Sequence, residues 1–229
     1  MFRDEADREG LTVKGAIVHG AQSRYFVLDA RRDVHTIGVH FRPGGGTAML
    51  GLPAGELGHR HFALEDIWGA RAGELREQLL EAREPRIMFA VLEREFLRRL
   101  RQPLIVHPAI SFALRQFDAA ARPDSTVPMR VASVQQATGY SDRRFITLFT
   151  HAVGLPPKLY SRVRRLHQVV KQIAHGRCGL AQVAADNGYY DQSHLNRDFR
   201  ELAGVTPGNY RPMPQRSALH MEAGEQARE

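Results

Sequence analysis

The chain has 229 residues, 43% of them hydrophobic, and a formal net charge of +7. That length holds one large domain or two ordinary ones around a real core. No run of 18 apolar residues marks a membrane span, and the charged start "MFRDEADREG" does not read as a secretory signal. Cys178 is the single cysteine, which excludes a disulfide within the chain and a cysteine-based zinc site. A cytoplasmic location is the default expectation.

The charge is unevenly placed. Residues 1–123 carry a net +2, residues 124–213 carry +6, and the tail from Pro214 carries −1. A basic segment of this kind suits a polyanion such as DNA or RNA.

Along the chain, residues 13–19, 24–29 and 35–41 read as three short strands, with β-branched and aromatic residues broken by glycine. "PGGG" at Pro43–Gly46 reads as a turn, "TAMLGL" as a short helix, and "PAGELGHRHFALEDIWG" as an irregular loop. Two helices follow, over 70–82 and over "PRIMFAVLEREFLRRLRQ", the second opened by Pro85. From His107 the pattern is helical: "PAISFALRQFDAAA", a polar break at 121–128, then short helices separated by glycines. A domain boundary is placed near residue 105.

The second half repeats itself. At an offset of 49, Val134 pairs with Val183, Gly139 with Gly188 and Tyr140 with Tyr189. After the turn the offset is 50: Phe145 pairs with Leu195, Phe149 with Phe199, Gly154 with Gly204, Pro157 with Pro207 and Tyr160 with Tyr210. Each copy reads as helix, tight glycine turn, helix. Ser141 is expected to cap "DRRFITLFTHAV" and Asp191 to cap "QSHLNRDFREL". Phe145, Leu148 and Phe149 form the inward face of one second helix; Leu195, Phe199 and Leu202 form that of the other. A helix-turn-helix whose second helix is polar outward and basic is a DNA-binding unit.

Residues 107–213 resemble the DNA-binding domain of AraC/XylS-type transcription regulators. The residues that carry the likeness are Ala184, Gly188, Tyr189, Asp191, Ser193, Leu195, Arg197, Phe199, Arg200, Gly204, Thr206, Pro207, Tyr210 and Arg211. Leu195 stands where an aromatic is usual and Arg200 where lysine is usual. The first half looks like a subgroup of the same family, through "GVHFRPGGG…GLPAGEL" and "DIWG", with an N-terminal domain that looks short. The resemblance implies two helix-turn-helix units joined by a long helix. The expected fold is α+β: a small β-containing N-terminal domain (1–105) with sensor or interaction duties, an all-α DNA-binding domain (106–213), and a disordered tail (214–229).

The linking helix reads as 157–175. Nineteen residues at ~1.5 Å each span about 28 Å, close to the ~34 Å of one DNA turn. One monomer could thus set both second helices in successive major grooves of an asymmetric site. The outward residues expected to meet DNA are Arg143, Arg144, Ile146 and Thr147 in the first copy, with Asp142 and Thr150 beside them. In the second they are Gln192, Ser193, Asn196, Arg197 and Arg200. Gln and Asn suit adenine edges, Arg suits guanine, and Ile146 and Thr147 offer methyl contact to thymine. Thr147 departs from the family's usual arginine. Each outward residue also has a plainer reading: Arg197 can pair with Glu201, four residues on; Gln192 and Ser193 can be capping residues; Arg162, Arg164 and Arg165 can touch phosphate or form a solvated face.

Other constellations are weaker. His59, His61, His35 and His40 invite a metal reading, but two are placed in a loop and one on a strand, and no site is assigned. "GGG" at 44–46 lacks the lysine and hydroxyl of a phosphate loop. No catalytic residues, cofactor or metal ligands are expected. Expected partners are double-stranded DNA, with RNA polymerase, a small-molecule effector and a second copy of the chain as further candidates, and no membrane. The competing reading is a metal- or ligand-binding sensor or enzyme on the N-terminal half, targeted by the DNA-binding domain.

Overall fold

The structure, a computed structural model, describes residues 2–3, 15–28, 36–100, 105–121, 130–176 and 179–212. Most of the 121–128 break, Cys178, His35 and the 214–229 tail lie outside these residues. Among the described residues four short strands form two antiparallel pairs: β1 (Phe2–Arg3) with β3 (Val27–Leu28), and β2 (Ile17–His19) with β4 (His61–Ala63). In the second pair Val18 faces Phe62 and His19 faces His61. The other regular elements among the described residues are helices, so the chain is α+β.

Two N-terminal expectations are corrected. Residues 36–41 hold no strand. Instead the Phe41 ring meets Phe96 edge-on, 5.6 Å between centroids. The stretch read as an irregular loop holds helix α2 (Ala54–Leu57), strand β4 and helix α3 (Leu64–Trp68), after the expected short helix α1 (Thr47–Leu50). β-Propensity describes a fit to a neighbour rather than a local preference. The available edge of β2 is taken by 61–63, and 36–41 is left mostly exposed, with Phe41 as its packed residue.

Helices α4 (Ala70–Glu81) and α5 (Pro85–Arg99) sit close to their expected ranges. With α3 they enclose a first core of Leu64, Trp68, Ala72, Leu75 and Val91. Glu95 is buried in this layer at 2% exposure. Arg71 donates to its carboxylate at 2.7 and 3.0 Å, Arg98 at 3.0 Å and Arg99 at 2.9 Å. Arg99 also lies 3.7 Å over the Trp68 ring. Burial pushes the Glu95 carboxyl up, but the three guanidinium hydrogen bonds outweigh it and hold the group below the usual carboxylate range.

The second half is a chain of helices: α6 (Pro108–Ala120), α7 (Val131–Ala137), α8 (Asp142–Val153), α9 (Pro157–Ala174), α10 (Leu180–Asp186) and α11 (Gln192–Ala203), closed by a 3-10 turn at Pro207–Asn209. Helix α9 serves two cores. Its first turns bring Tyr160 to Ile110, Phe117, Phe145 and Phe149. Its later turns bring Leu166, Val169 and Val170 to Val183, Leu195, Phe199 and Tyr210. Tyr160 and Tyr210 are therefore core residues, and burial pushes the Tyr160 hydroxyl up to about 12.

The N-terminal half rests on the C-terminal ends of both longer helices. Gly154 ends α8 at φ +90°, and a Cβ there would lie 2.8 Å from Ala21 Cβ and 3.0 Å from the Ala54 carbonyl oxygen. Gly204 ends α11 at φ +73°, and a Cβ there would lie 2.3 Å from Tyr25 Cε1. The Tyr25 amide donates to the Leu202 carbonyl at 2.9 Å. The same short segment, from Ala21 to Tyr25, thus touches both repeats.

Two stability predictions follow from this packing. Glu95→Gln is expected to cost about 3 kcal/mol, the low end for breaking a buried ion pair, because its arginines keep partial access to water. Since the Glu95 carboxyl is held low when folded, its stabilisation is present above the unfolded carboxylate range and is lost as pH falls through the folded value. Urea unfolding of the wild type against pH should show this acid loss, and the Gln variant should show less of it. Gly154→Ala should destabilise by more than the ~1 kcal/mol of a positive φ alone, whereas Gly188→Ala, with nothing within 4 Å of its Cβ, should show only that cost. Thermal melts of the two variants compare them directly.

Candidate nucleic-acid interface

Each repeat is a helix, a turn and a longer helix, and the two turns differ as the sequence predicts. Gly139 and Gly188 follow the leading helices at φ +72° and +70°. Asp191 caps α11, its carboxylate accepting from the His194 amide at 2.7 Å. Ser141 stands at the equivalent place but its hydroxyl makes no capping bond. Asp142 instead accepts a hydrogen bond from Gln135, which ties the second helix of that unit to the first. The expected Ser141 cap is thus corrected.

The core faces of both longer helices are the expected ones. Phe145 and Phe149 on α8, and Leu195, Phe199 and Leu202 on α11, are buried, with Leu148 half-buried beside them. On the opposite faces Arg143, Arg144, Ile146, Thr147, Gln192, Ser193, Arg197 and Arg200 are exposed. The Thr147 hydroxyl donates to the Arg143 carbonyl at 2.9 Å, which leaves its methyl as the outward group. Ile146 is 45% exposed, with its side chain on the outward face. Two residues differ from the outward set. Asn196 is half-buried, with its amide oxygen enclosed and without a hydrogen-bond partner. Thr150 is half-buried, its carbonyl only 2.9 Å from where a Cβ on Gly55 would lie. Helix α2 lies across this end of α8, a contact between distant segments that no helical period displays.

The arginines of α9 are committed to carboxylates. Arg162 donates to Asp198 at 2.8 Å and to Glu201 at 2.7 Å. Arg164 pairs with Asp118 at 2.7 Å. Arg165 lies 4.3 Å over the Tyr189 ring and 3.6 Å from Asp198. Asp198 is 5% exposed and also accepts from the Tyr189 hydroxyl at 2.9 Å. Glu201 and Asp198 raise the Arg162 guanidinium further above its usual range, and the Arg162 hydrogen bonds hold the Glu201 carboxyl low. The sequence offers one sign of this cluster: Asp198 adjoins Phe199, on the flank of the core-facing stripe. The consequence reaches the surface. Glu201 is engaged by Arg162, so the local pairing that would have occupied Arg197 is absent. Among the described residues Arg143, Arg144, Arg197 and Arg200 have no ion-pair partner.

The histidines of the first half sit differently from expectation. His61 is on β4 rather than in a loop, His40 is not on a strand, and His19 Nδ1 and His61 Nδ1 lie 2.6 Å apart. Burial, with the nearby His61, lowers the His19 imidazole to about 4. Among the described residues no three His, Cys, Asp or Glu side chains converge as metal ligands, and no helix is long and apolar enough to cross a membrane.

Two helix-turn-helix units on one shared helix define a double helix-turn-helix domain. Residues 134–213 match the family described as "Helix-turn-helix domain", and residues 2–63 match a domain of unknown function (DUF6597). This C-terminal segment is similar to segments of proteins described as AraC-like transcription regulators. It is 31% identical over 77 residues to the F1 operon positive regulatory protein of Yersinia pestis, covering 34% of this chain and 26% of that protein. It is 33% identical over 86 residues to a Streptomyces antibioticus protein described as an AraC-like transcription regulator, covering 37% and 28%. A third relative, described as a transcriptional regulator of Photobacterium leiognathi, is 31% identical over 80 residues, covering 35% and 32%. The chain spans about a quarter to a third of the length of these relatives. No solved structure matches it.

The ion-pair network yields a test of its own. Arg162→Ala leaves the buried Asp198 carboxylate with the Tyr189 hydroxyl and, as a cation, only the more distant Arg165, and should lower stability by about 2–3 kcal/mol, less than the loss of a fully buried pair. Urea unfolding monitored by circular dichroism measures it. A loss no larger than a surface substitution, about 0.5 kcal/mol, would contradict the role given to this cluster.

Proposed function

We propose that the protein is a sequence-specific, double-stranded DNA-binding transcription regulator without catalytic chemistry of its own. The observation that carries this reading is the pair of longer helices, each with a sealed apolar face and an exposed polar face whose arginines have no carboxylate to answer. Helix α9 has 18 residues, about 27 Å at ~1.5 Å each, and so spaces the two units by less than one DNA turn. A single chain then reads an asymmetric site, α8 in one major groove and α11 in the next.

Arg143 and Arg197 are the guanine readers, each able to give two parallel hydrogen bonds to one base edge. Ile146 and the Thr147 methyl contact thymine. Gln192, Ser193 and the partly enclosed Asn196 supply directed hydrogen bonds, and Arg144 and Arg200 flank them. The N-terminal half, proposed as residues 1–105, modulates the DNA-binding half, residues 106–213, through the contacts of Ala21, Tyr25 and α2 with the ends of α8 and α11. A small-molecule effector, RNA polymerase and a second copy of the chain are the partners such a device serves, in the cytoplasm.

The test is selection of bound sequences from random duplexes. Arg143→Ala and Arg197→Ala should each weaken binding by about 1–3 kcal/mol and relax preference in one half of the recovered site, a different half for each. Footprinting should give protection in two groove segments. If neither variant changed the affinity or the selected sequence, α8 and α11 would not be the readers.

A further inference from the structure

We propose that the open groove between the two helix-turn-helix units is a phosphate subsite, in which Lys158 holds the backbone of the DNA that passes from one major-groove contact to the other, beside the base-reading Arg197. The inference rests on the double-reader function above.

The groove encloses about 580 Å³ and is bounded by both units: Val131, at the start of α7, on one side, and the Arg197 side of α11 on the other, with α9 as its floor. It opens on the same side as the outward face of α11, since Arg197 belongs to both. A duplex that takes α11 into its major groove therefore passes beside it. Four cations and two carboxylates line it. The carboxylates, Asp198 and Glu201, are already answered by Arg162, and Arg165 leans on Asp198 and the Tyr189 ring. Lys158 and Arg197 are left over. Both are exposed, and neither has an ion-pair partner among the described residues.

The chemistry fits a phosphodiester better than a base edge. Lysine is a compact point charge without the fork geometry that reads a base pair, and it suits a phosphate oxygen. Lys158 comes from the first-unit end of α9 and Arg197 from the second unit, so a phosphate held by Lys158 lies next to the base that Arg197 reads and positions the strand between the two readers. The carboxylates in the groove sharpen this placement. A phosphate that enters is steered away from Asp198 and Glu201 and toward Lys158, since Arg197 is engaged by its base edge.

The experiment uses the full chain and a duplex recovered by selection from random sequence. Affinity is measured over a series of salt concentrations for wild type, Lys158→Ala and Lys158→Arg. Lys158→Ala should reduce the slope of log affinity against log salt by about 0.9, the value of one phosphate contact. It should leave the selected sequence unchanged, and Lys158→Arg should restore the slope. A duplex with neutral methylphosphonate linkages between the two half-sites should abolish the difference between wild type and Lys158→Ala. An unchanged slope, or a changed sequence preference, overturns the subsite while leaving the two readers in place. A wild type that retains no duplex at any salt overturns the proposed function, and the subsite with it. Because Lys158 is exposed, an unaltered circular dichroism melt should accompany every one of these variants.

Discussion

Helix α9 is buried by two cores at once, and everything proposed for this protein depends on that. Tyr160 closes the first core, Leu166, Val169 and Val170 close the second, and Leu159 packs against both. A flexible linker would let each helix-turn-helix unit tumble and would lose the spacing of the two outward faces. A helix whose residues are committed at both ends cannot bend without opening a core. The distance between α8 and α11 is thus set by packing rather than by contact with a ligand, which is the preorganisation that a two-groove reader needs.

Around that helix the polar groups are sorted into two kinds. Arg162, Asp198, Glu201 and the Tyr189 hydroxyl satisfy one another between α9 and α11. The buried aspartate is tolerated because cations and a hydroxyl surround it. This network occupies the carboxylates of α11, and the surface arginines are left unpaired as a result. In the N-terminal layer Glu95 plays a comparable part, gathering three arginines around one buried carboxylate. At Glu95 one acid gathers three bases and at Arg162 one base joins two acids, and the basic excess of the chain is divided between structural pairs and an outward remainder.

The two halves of the chain are joined through glycines. Gly154 and Gly204 end the two longer helices in the left-handed conformation, and both ends are covered by the segment that runs from Ala21 to Tyr25. That segment continues from β2, whose partner strand β4 follows α2, and α2 itself lies on α8. The β2–β4 pair is therefore linked to both units through the Ala21–Tyr25 segment and α2.

By itself the sequence determined the repeat, the helix order of the second half, the buried faces of α8 and α11 and the glycines of the turns. These follow from local periodicity and from the steric freedom of glycine, and both are properties of neighbouring residues. Tertiary structure decided what depends on residues far apart. It made a strand of 61–63 and none of 36–41, because strand formation needs an edge to pair with. It drew Arg162 to Asp198 and Glu201 across 36 and 39 residues, which changed the arginines of the linking helix from candidate phosphate contacts into structural pairs and left Arg197 outward. It covered Thr150 with α2 and half-enclosed Asn196, two positions that the helical period alone had set on the surface. A period gives the direction of a side chain from its own helix; whether another segment waits there is settled only when the chain closes on itself.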